Sequence, residues 1–99
     1  MALPVLSPPL LVLASLADGP KHGYAMIEDI KRMTGVTLGA GTLYGAISRL
    51  EESGLIQPLR PSERRQPYRI TAAGNRALRD RAEAMVSFAG AALRKLEAL

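Results

Sequence analysis

The sequence predicts a mainly helical chain with a small β-hairpin and a long C-terminal helix. Apolar residues recur at helical spacing in three segments before residue 54, the period becomes strand-like over residues 55–71, and helical spacing then continues to residue 99. A length of 99 residues allows one domain with a limited core. The hydrophobic content of 47% is too high for a disordered chain.

Three short helices are expected first. Ser7 before two prolines is typical of a helix start, and Asp18-Gly19-Pro20 ends that helix. The second helix is expected over residues 23–34 and the third over residues 40–53, each followed by a glycine. Their expected inner faces consist of Leu10, Leu13, Ala14 and Ala17 in the first helix, Tyr24, Ile27 and Ile30 in the second, and Leu43, Ile47 and Leu50 in the third.

A basic hairpin follows the three helices. Its short strands are expected over residues 55–57 and 68–71, and its exposed tip over residues 61–66, with three prolines around the loop. Residues 53–81 hold seven arginines against two acidic residues, a balance of +5, whereas the other residues together contribute −1. Because the positive charge is localised, it favours a binding site for a polyanion over a diffuse charge that maintains solubility.

Residues 72–99 are expected to form one helix with an apolar stripe. About 26 helical residues extend about 39 Å, which is more than the rest of so short a chain can cover. A second copy can cover the stripe, so we expect a homodimer; the alternative is a helix that folds back over its own domain. The apolar N-terminal segment (Leu3, Val5, Leu6, Leu10 and Leu11) is expected to pack against the same helix. The stripe consists of Leu78, Ala82, Met85, Ala89, Ala92, Leu96 and Leu99, broadened on one flank by Val86 and Leu93.

Composition excludes several kinds of site. Without cysteine the chain has no disulfide framework and no thiolate zinc site, and the lone His22 cannot supply a His-rich metal site or a pair of catalytic imidazoles. No nucleophile–base pair and no phosphate-binding glycine loop are present, so we expect neither an enzyme nor a cofactor. The apolar run before Ala17 has no basic start, and no run approaches the roughly 20 residues of a membrane span. We therefore expect a cytoplasmic protein with no membrane partner.

Three helices followed by a two-stranded wing form the winged helix-turn-helix, in which the third helix enters the major groove of DNA. Four motifs occur in order over residues 10–78: Gly19-Pro20-Lys21-His22-Gly23-Tyr24, Gly41-Thr42-Leu43-Tyr44, Arg49-Leu50-Glu51-Glu52-Ser53-Gly54-Leu55-Ile56 and Tyr68-Arg69-Ile70-Thr71-Ala72-Ala73-Gly74. Together they resemble the PadR family of bacterial transcriptional regulators. The short C-terminal part resembles the smaller members of that family, which carry a single terminal helix.

The third helix departs from the family pattern at three positions. The family usually has Ser-Pro before the Gly-Thr-Leu-Tyr motif and Pro after it, where this chain has Gly39, Ala40 and Gly45. Glycine is nearly as good an N-cap as serine, whereas Gly45 inside a helix costs up to about 1 kcal/mol relative to alanine. Gly45 would also let the helix lie close to DNA.

The first half of the third helix is expected to contact DNA through its outer side. Small residues there permit close approach, and hydroxyl groups can bond to phosphates or base edges. The alternative is that Tyr44 is a core residue and that Thr42 caps the helix. Arg49 either reaches the DNA backbone or pairs with Glu51 or Glu52. The expected contacts are Gly41, Thr42, Tyr44, Gly45, Ser48 and Arg49.

Two further segments complete the expected DNA site. The resemblance implies that the start of the second helix, His22, Gly23 and Tyr24, lies beside the DNA backbone, although a lone histidine at this place is also typical of a local cap. In the hairpin, Arg64 and Arg65 are expected to follow the phosphates or to enter a narrow minor groove. The alternative for these arginines is a solvated loop.

These features predict a homodimeric regulator that binds double-stranded DNA and represses transcription at an inverted-repeat operator. Residues 1–71 would form the DNA-binding domain, and residues 72–99 the dimerisation helix. The resemblance implies that small aromatic effectors release some such repressors from DNA; here the interface offers Met85 and Phe88 but no tryptophan. The alternative function is a winged-helix adaptor that binds other proteins and not DNA.

Overall fold

A computed structural model describes residues 6–99, which form four helices and a three-stranded antiparallel sheet. The sheet order is β1-β3-β2, so the strand nearest the C-terminus lies in the centre. This architecture confirms the predicted fold class, with one strand more than the sequence indicated. The elements are α1 (Pro8–Leu16), β1 (Lys21–His22), α2 (Gly23–Thr34), α3 (Ala40–Glu52), β2 (Ile56–Pro58), β3 (Pro67–Ile70) and α4 (Ala72–Glu97).

Helix α1 lies at the centre of the core. It begins where predicted, because the Ser7 side chain accepts a hydrogen bond from the Leu10 amide at 3.4 Å. The predicted inner face was wrong in part: Leu10 and Ala14 are only half-buried, and Ala17 is exposed. The reason is that α2, α3, α4 and β3 all pack against α1, so buried residues occur nearly all round it. They are Leu11, Val12, Leu13, Ser15 and Leu16.

The other helices contribute one face each to this core. The α3 stripe is buried as predicted, with Ala46 added to it. In α2 the buried side chains are Met26 and Ile30, whereas Tyr24 is 67% exposed and Ile27 half-buried, so the predicted stripe was wrong at its first position. Tyr24 lies two residues before Met26, about 200° around the helix, and therefore faces away from the core.

A polar network holds α1, the following turn and α2 together. Ser15 is 1% exposed, and its hydroxyl donates a 2.7 Å hydrogen bond to the Asp29 carboxylate. The Lys21 ammonium donates to the backbone carbonyl of Ser15 and to the Asp18 carboxylate, and it also lies 3.9 Å from Asp29. The hydrogen bond and the charge of Lys21 lower the pKa of Asp18. Helix α2 is thus oriented by α1 through polar as well as apolar contacts.

Strand β1 is the element that the sequence pattern did not reveal. Its two residues, Lys21 and His22, pair with Tyr68 and Pro67 of β3. Two residues are too few to show a period, so only the presence of β3 makes them a strand. The hairpin strands lie one residue from their predicted bounds, and Gln57 faces Arg69 across them.

Helix α4 begins at the wing and extends beyond the rest of the chain. The Thr71 hydroxyl caps it by accepting a hydrogen bond from the Gly74 amide at 3.1 Å. Only Gly74 of this helix is buried, and Val86, Phe88, Leu93 and Leu96 are exposed. The described residues therefore measure 56 × 28 × 20 Å, with a radius of gyration of 15.2 Å against about 13 Å for a compact chain of this length.

Replacing Ser15 with alanine tests the polar network. We expect Ser15→Ala to lower the free energy of unfolding by about 1 to 3 kcal/mol, because a part-buried carboxylate loses a donor. The measurement is urea unfolding, with Ser87→Ala on the exposed side of α4 as the control, expected within about 0.5 kcal/mol of the unmodified chain. Equal stability of the two variants would contradict a role for the Ser15 hydrogen bond.

Candidate nucleic-acid interface

The outer side of α3 is open to solvent along the predicted contact residues. Its N-cap, Gly39, makes no side-chain capping bond, so Thr42 is not the cap. A Cβ added at Gly41 or Gly45 would meet nothing within 4 Å, which means that both positions offer bare backbone to a partner. All six predicted α3 residues are exposed: Gly41, Thr42, Tyr44, Gly45, Ser48 and Arg49.

The start of α2 lies directly against α3. His22 is the N-cap, and its Nδ1 accepts a 3.4 Å hydrogen bond from the Ala25 amide, as expected for a local cap. Gly23 is buried, and a Cβ there would lie 2.3 Å from the Tyr44 hydroxyl. Any larger residue at position 23 would require the Tyr44 ring to move. Tyr44, 49% exposed, is thus neither a core residue nor a fully solvated one.

The wing tip is a tighter turn than the sequence indicated. Ser62 and Arg65 bond to each other through both backbone amides, at 3.0 and 2.9 Å, around two central residues, Glu63 and Arg64. Both central residues have positive φ, 51° and 66°, which suits a two-residue hairpin turn but is unfavourable for residues other than glycine, asparagine and aspartate. The turn holds the Arg64 side chain at the end of the wing.

Below the tip, Gln66 fixes the two arms of the wing. Its amide nitrogen donates to the backbone carbonyls of Leu59 and Pro67, both at 2.8 Å. Arg69 donates across the strands to Gln57 at 2.9 Å. Sequence reasoning gave Gln66 no role, because its partners are backbone atoms that only the folded hairpin brings together.

The wing folds back onto the start of α2. The Arg65 Nη1 atom lies 3.1 Å from the His22 Nε2 atom, although the two residues are 43 positions apart. One surface depression therefore joins the α2 start, α3 and the wing. This surface, which we call the His22–Arg65 surface, is lined by His22, Gly23, Tyr24, Tyr44, Arg64, Arg65 and Gln66.

The two contacts of His22 both require an acceptor nitrogen on its imidazole ring. A neutral imidazole has one acceptor nitrogen and one N–H donor. If Nδ1 accepts from the Ala25 amide, then Nε2 carries the proton and faces the Arg65 guanidinium, another donor. An oxygen of an anion placed between them would accept from both. The arrangement is thus suited chemically to one phosphate oxygen.

Neighbouring tyrosines stay protonated near neutral pH. A hydrogen bond to Glu28, with the charge of that carboxylate, raises the pKa of Tyr24, and burial raises the pKa of Tyr68. Both phenols therefore stay uncharged near neutral pH.

The arginines of the wing form no ion pair within the described residues. Within residues 6–99 the ion pairs lie between residues 18 and 32, and none includes Arg49, Arg64 or Arg65. The predicted alternative for Arg49, a pair with Glu51 or Glu52, is therefore not formed. Across the same part of the chain, His, Cys, Asp and Glu residues form no cluster of three or more that could hold a metal ion. None of the described helices combines the length and the apolar character of a membrane span.

Solved structures of known regulators share this architecture. A transcriptional regulator from Clostridium thermocellum superposes with a TM-score of 0.78 at 28% identity, covering 88% of this chain and 87% of that one. A PadR family regulator from Eggerthella lenta has a TM-score of 0.70 at 33% identity, covering 89% and 79%. A PadR family regulator from Clostridium difficile, at 22% identity, shares the fold with a TM-score of 0.79, covering 90% and 97%.

Sequence comparison leads to the same family. The chain is 44% identical over 81 residues to an uncharacterized 37.1 kDa protein of transposon TN4556 from Streptomyces fradiae; the match covers 82% of this chain but only 24% of that protein. The transcriptional regulator PadR-like family matches residues 12–80, most of the chain. The chain therefore belongs to the PadR-like family of transcriptional regulators, which are generally not enzymes.

Proposed function

We propose that this chain binds double-stranded DNA as a homodimer and represses transcription at an inverted-repeat operator. The observation that carries the proposal is the His22–Arg65 surface, where the α2 start, the outer side of α3 and the tip of the wing meet. The three segments are far apart in sequence, and the fold brings them to one surface.

Helix α3 suits the major groove. Its buried stripe anchors it to α1, and its first half presents hydroxyl groups and two glycines with open space above them. The first amides of the helix lack a side-chain cap and can donate to a phosphate. Thr42, Tyr44 and Ser48 supply donors and acceptors that can bond to base edges or phosphates.

The wing and the α2 start suit the flanking backbone. Arg64 and Arg65 lie in the stretch that carries the whole net positive charge, and neither forms an ion pair in the described residues. A phosphate oxygen between His22 and Arg65 would accept hydrogen bonds from both side chains, so that two N–H donors would no longer face each other. The unfavourable φ angles at Glu63 and Arg64 also favour a functional role, because such angles are retained where side chains are needed in a fixed place.

The exposed stripe of α4 supports a homodimer. Leu78, Met85 and Ala92 are half-buried in one protomer, and the remaining stripe residues, Ala82, Ala89, Leu96 and Leu99, are exposed. A second α4 would cover these apolar side chains. Two-fold symmetry would then present two copies of α3 to half-sites about one helical turn of DNA apart.

An apolar groove beside the stripe offers further area for the partner. The groove runs between α1, the end of α2 and α4, and three residues of the stripe line one of its walls. Of the N-terminal residues predicted near α4, Leu6, Leu10 and Leu11 line the groove, whereas Leu3 and Val5 lie outside the described residues. The complete lining is Leu6, Leu10, Leu11, Ala14, Met33, Thr34, Leu78, Ala82 and Met85.

Repression would need no further site on the chain if the operator overlaps the promoter, because a bound dimer then blocks access to it. Release by a small aromatic effector would use the same interface, where Phe88 is 75% exposed and Met85 lines the groove. Aromatic rings and thioether groups both pack favourably against an aromatic ligand.

The competing function is a winged-helix adaptor that binds proteins and not DNA. It would use the α4 stripe but would have no use for a turn with unfavourable φ angles that presents two arginines outside any ion pair of the described residues. An electrophoretic mobility assay on the DNA upstream of the chain's own gene separates the two functions, since only the regulator shifts that fragment. No shift at low salt would favour the adaptor.

Replacing the wing arginines should weaken DNA binding on every sequence alike. We expect Arg64→Ala with Arg65→Ala to reduce the slope of log affinity against log salt by about one unit for each phosphate that the variant no longer neutralises. The control removes two charges from the far end of α4, Arg94→Ala with Lys95→Ala, and should leave the slope nearly unchanged. An unchanged slope in the wing variant would contradict the assignment.

His22 should act in DNA binding separately from its role as a cap. His22→Asn keeps a good N-cap but removes Nε2, so affinity for DNA should fall while thermal stability is maintained. His22→Ala removes both functions and should also lower stability by about 1 kcal/mol. Fluorescence anisotropy and thermal unfolding measure the two effects. Wild-type affinity in His22→Asn would show that Nε2 makes no contact with DNA.

A charge within the α4 stripe should separate the protomers. We expect Ala89→Glu to sediment as a monomer at micromolar concentration, because the dimer would bury its carboxylate among apolar groups. Ser87→Glu is the matched control, since residue 87 is exposed and lies about 200° around the helix from residue 89. If Ala89→Glu sediments as a dimer like the control, the stripe is not the interface.

A further inference from the structure

The junction between the wing and α4 leaves no room for a side chain at Gly74. A Cβ at this position would lie 2.1 Å from the Leu55 carbonyl oxygen and 2.7 Å from the Ile70 Cγ1 atom. The first of these is a backbone atom, which cannot move aside as the end of a flexible side chain can. Gly74 lies within the helix and does not have positive φ, so the requirement is for space and not for an unusual backbone conformation.

Hydrogen bonds tie the same junction to the end of α3. The Thr71 amide donates to the Leu55 carbonyl at 3.0 Å, and the Thr71 hydroxyl donates to the Gly54 carbonyl at 2.7 Å. The same hydroxyl caps α4 through the Gly74 amide. The residues that follow α3 and those that begin α4 are therefore held together by hydrogen bonds and close contacts in one cluster, which we call the α3–α4 joint (Gly54, Leu55, Thr71 and Gly74).

We infer that Gly74 is a positioning residue that sets the angle between α3 and α4, and thereby the separation of the two α3 helices in the dimer. This inference rests on the proposed function. Because α4 would form the dimer interface while α3 would enter the groove, the joint, together with α1, connects the interface to the DNA in each protomer. The spacing of operator half-sites that the dimer prefers then depends on this glycine.

The length of α4 amplifies any change at the joint. A tilt of about 5° at one end of a helix about 39 Å long moves the other end by about 3 Å, which is close to the rise of one base-pair step. An alanine at position 74 requires its methyl group to move more than 1 Å away from the Leu55 oxygen to reach ordinary contact distance, so a tilt or a shift of that size is expected.

Gly90 provides a matched control on the same helix. A Cβ there would meet only the end of the flexible Arg94 side chain, at 3.2 Å. Gly74→Ala and Gly90→Ala are therefore the same substitution in the same helix, and only the first perturbs the joint.

The first measurement is independent of DNA. The chain has no cysteine, so Glu52→Cys at the exposed end of α3 accepts a single spin label, and the distance between the labels of a dimer is measured by pulsed electron spin resonance. We expect Gly74→Ala to shift the mean distance by about 3 Å or more, whereas Gly90→Ala leaves it unchanged. The same distance in both variants would overturn the inference.

The second measurement uses duplexes that the unmodified chain selects from a randomised pool, resynthesised with one or two base pairs inserted or removed between the half-sites. We expect Gly74→Ala to lose about tenfold affinity on the selected spacing and to regain affinity on an altered one. Binding to a single half-site should equal that of Gly90→Ala. An unchanged spacing preference would overturn the inference.

Two outcomes separate this inference from the proposed function. If the unmodified chain is a dimer that selects no DNA, the proposed function fails while the spin-label distance still tests the joint; if it is a monomer, both fail. Should Gly74→Ala not fold, Thr71→Val loosens the joint without adding an atom. It is expected to broaden the distance distribution, and an unchanged width would overturn the inference.

Discussion

The structure depends on the burial of α1, a short helix with no charged residue and almost no polar one. Leu11, Val12, Leu13 and Leu16 are each 4% exposed or less, and together they point to several sides of the helix. Covering them requires contacts with α2, α3, α4 and β3 at once. Each fully buried side chain of this kind contributes about 1.5 to 3 kcal/mol, so the position of α1 constrains the other elements strongly. The surface that we assign to DNA lies on elements held by this one helix.

Two buried glycines show where the elements approach most closely. At Gly23 the contact brings the Tyr44 ring of α3 onto the start of α2, and at Gly74 it brings the start of α4 onto Leu55, in the loop between α3 and β2. The other seven glycines are exposed or half-buried, and they either end an element or leave backbone open to solvent. Small residues thus occur in two settings here: some allow packing within the chain, and others, Gly41 and Gly45, leave open space above the backbone.

The arms of the wing are joined by side-chain hydrogen bonds, whereas its tip has unfavourable backbone φ angles. Gln66 and the Gln57–Arg69 pair hold the arms, while Glu63 and Arg64 adopt positive φ at the turn. An Asn-Gly pair would form such a turn without strain. The side chains at the tip are therefore present despite their conformational cost, which is consistent with arginines that act outside the protomer.

Periodicity and helix caps determined much of this protein from sequence alone. The helices, to within two residues at their ends, the α3 stripe and the presence of a hairpin were predicted correctly, because each is a local property of consecutive residues. Tertiary structure alone decided the rest. Strand β1 exists only because β3 lies beside it, Tyr24 faces solvent because Met26 fills the core, and His22 meets Arg65 because the wing folds back across 43 residues. Local spacing carries no information about which distant surfaces come into contact, and those contacts create both the His22–Arg65 surface and the α3–α4 joint.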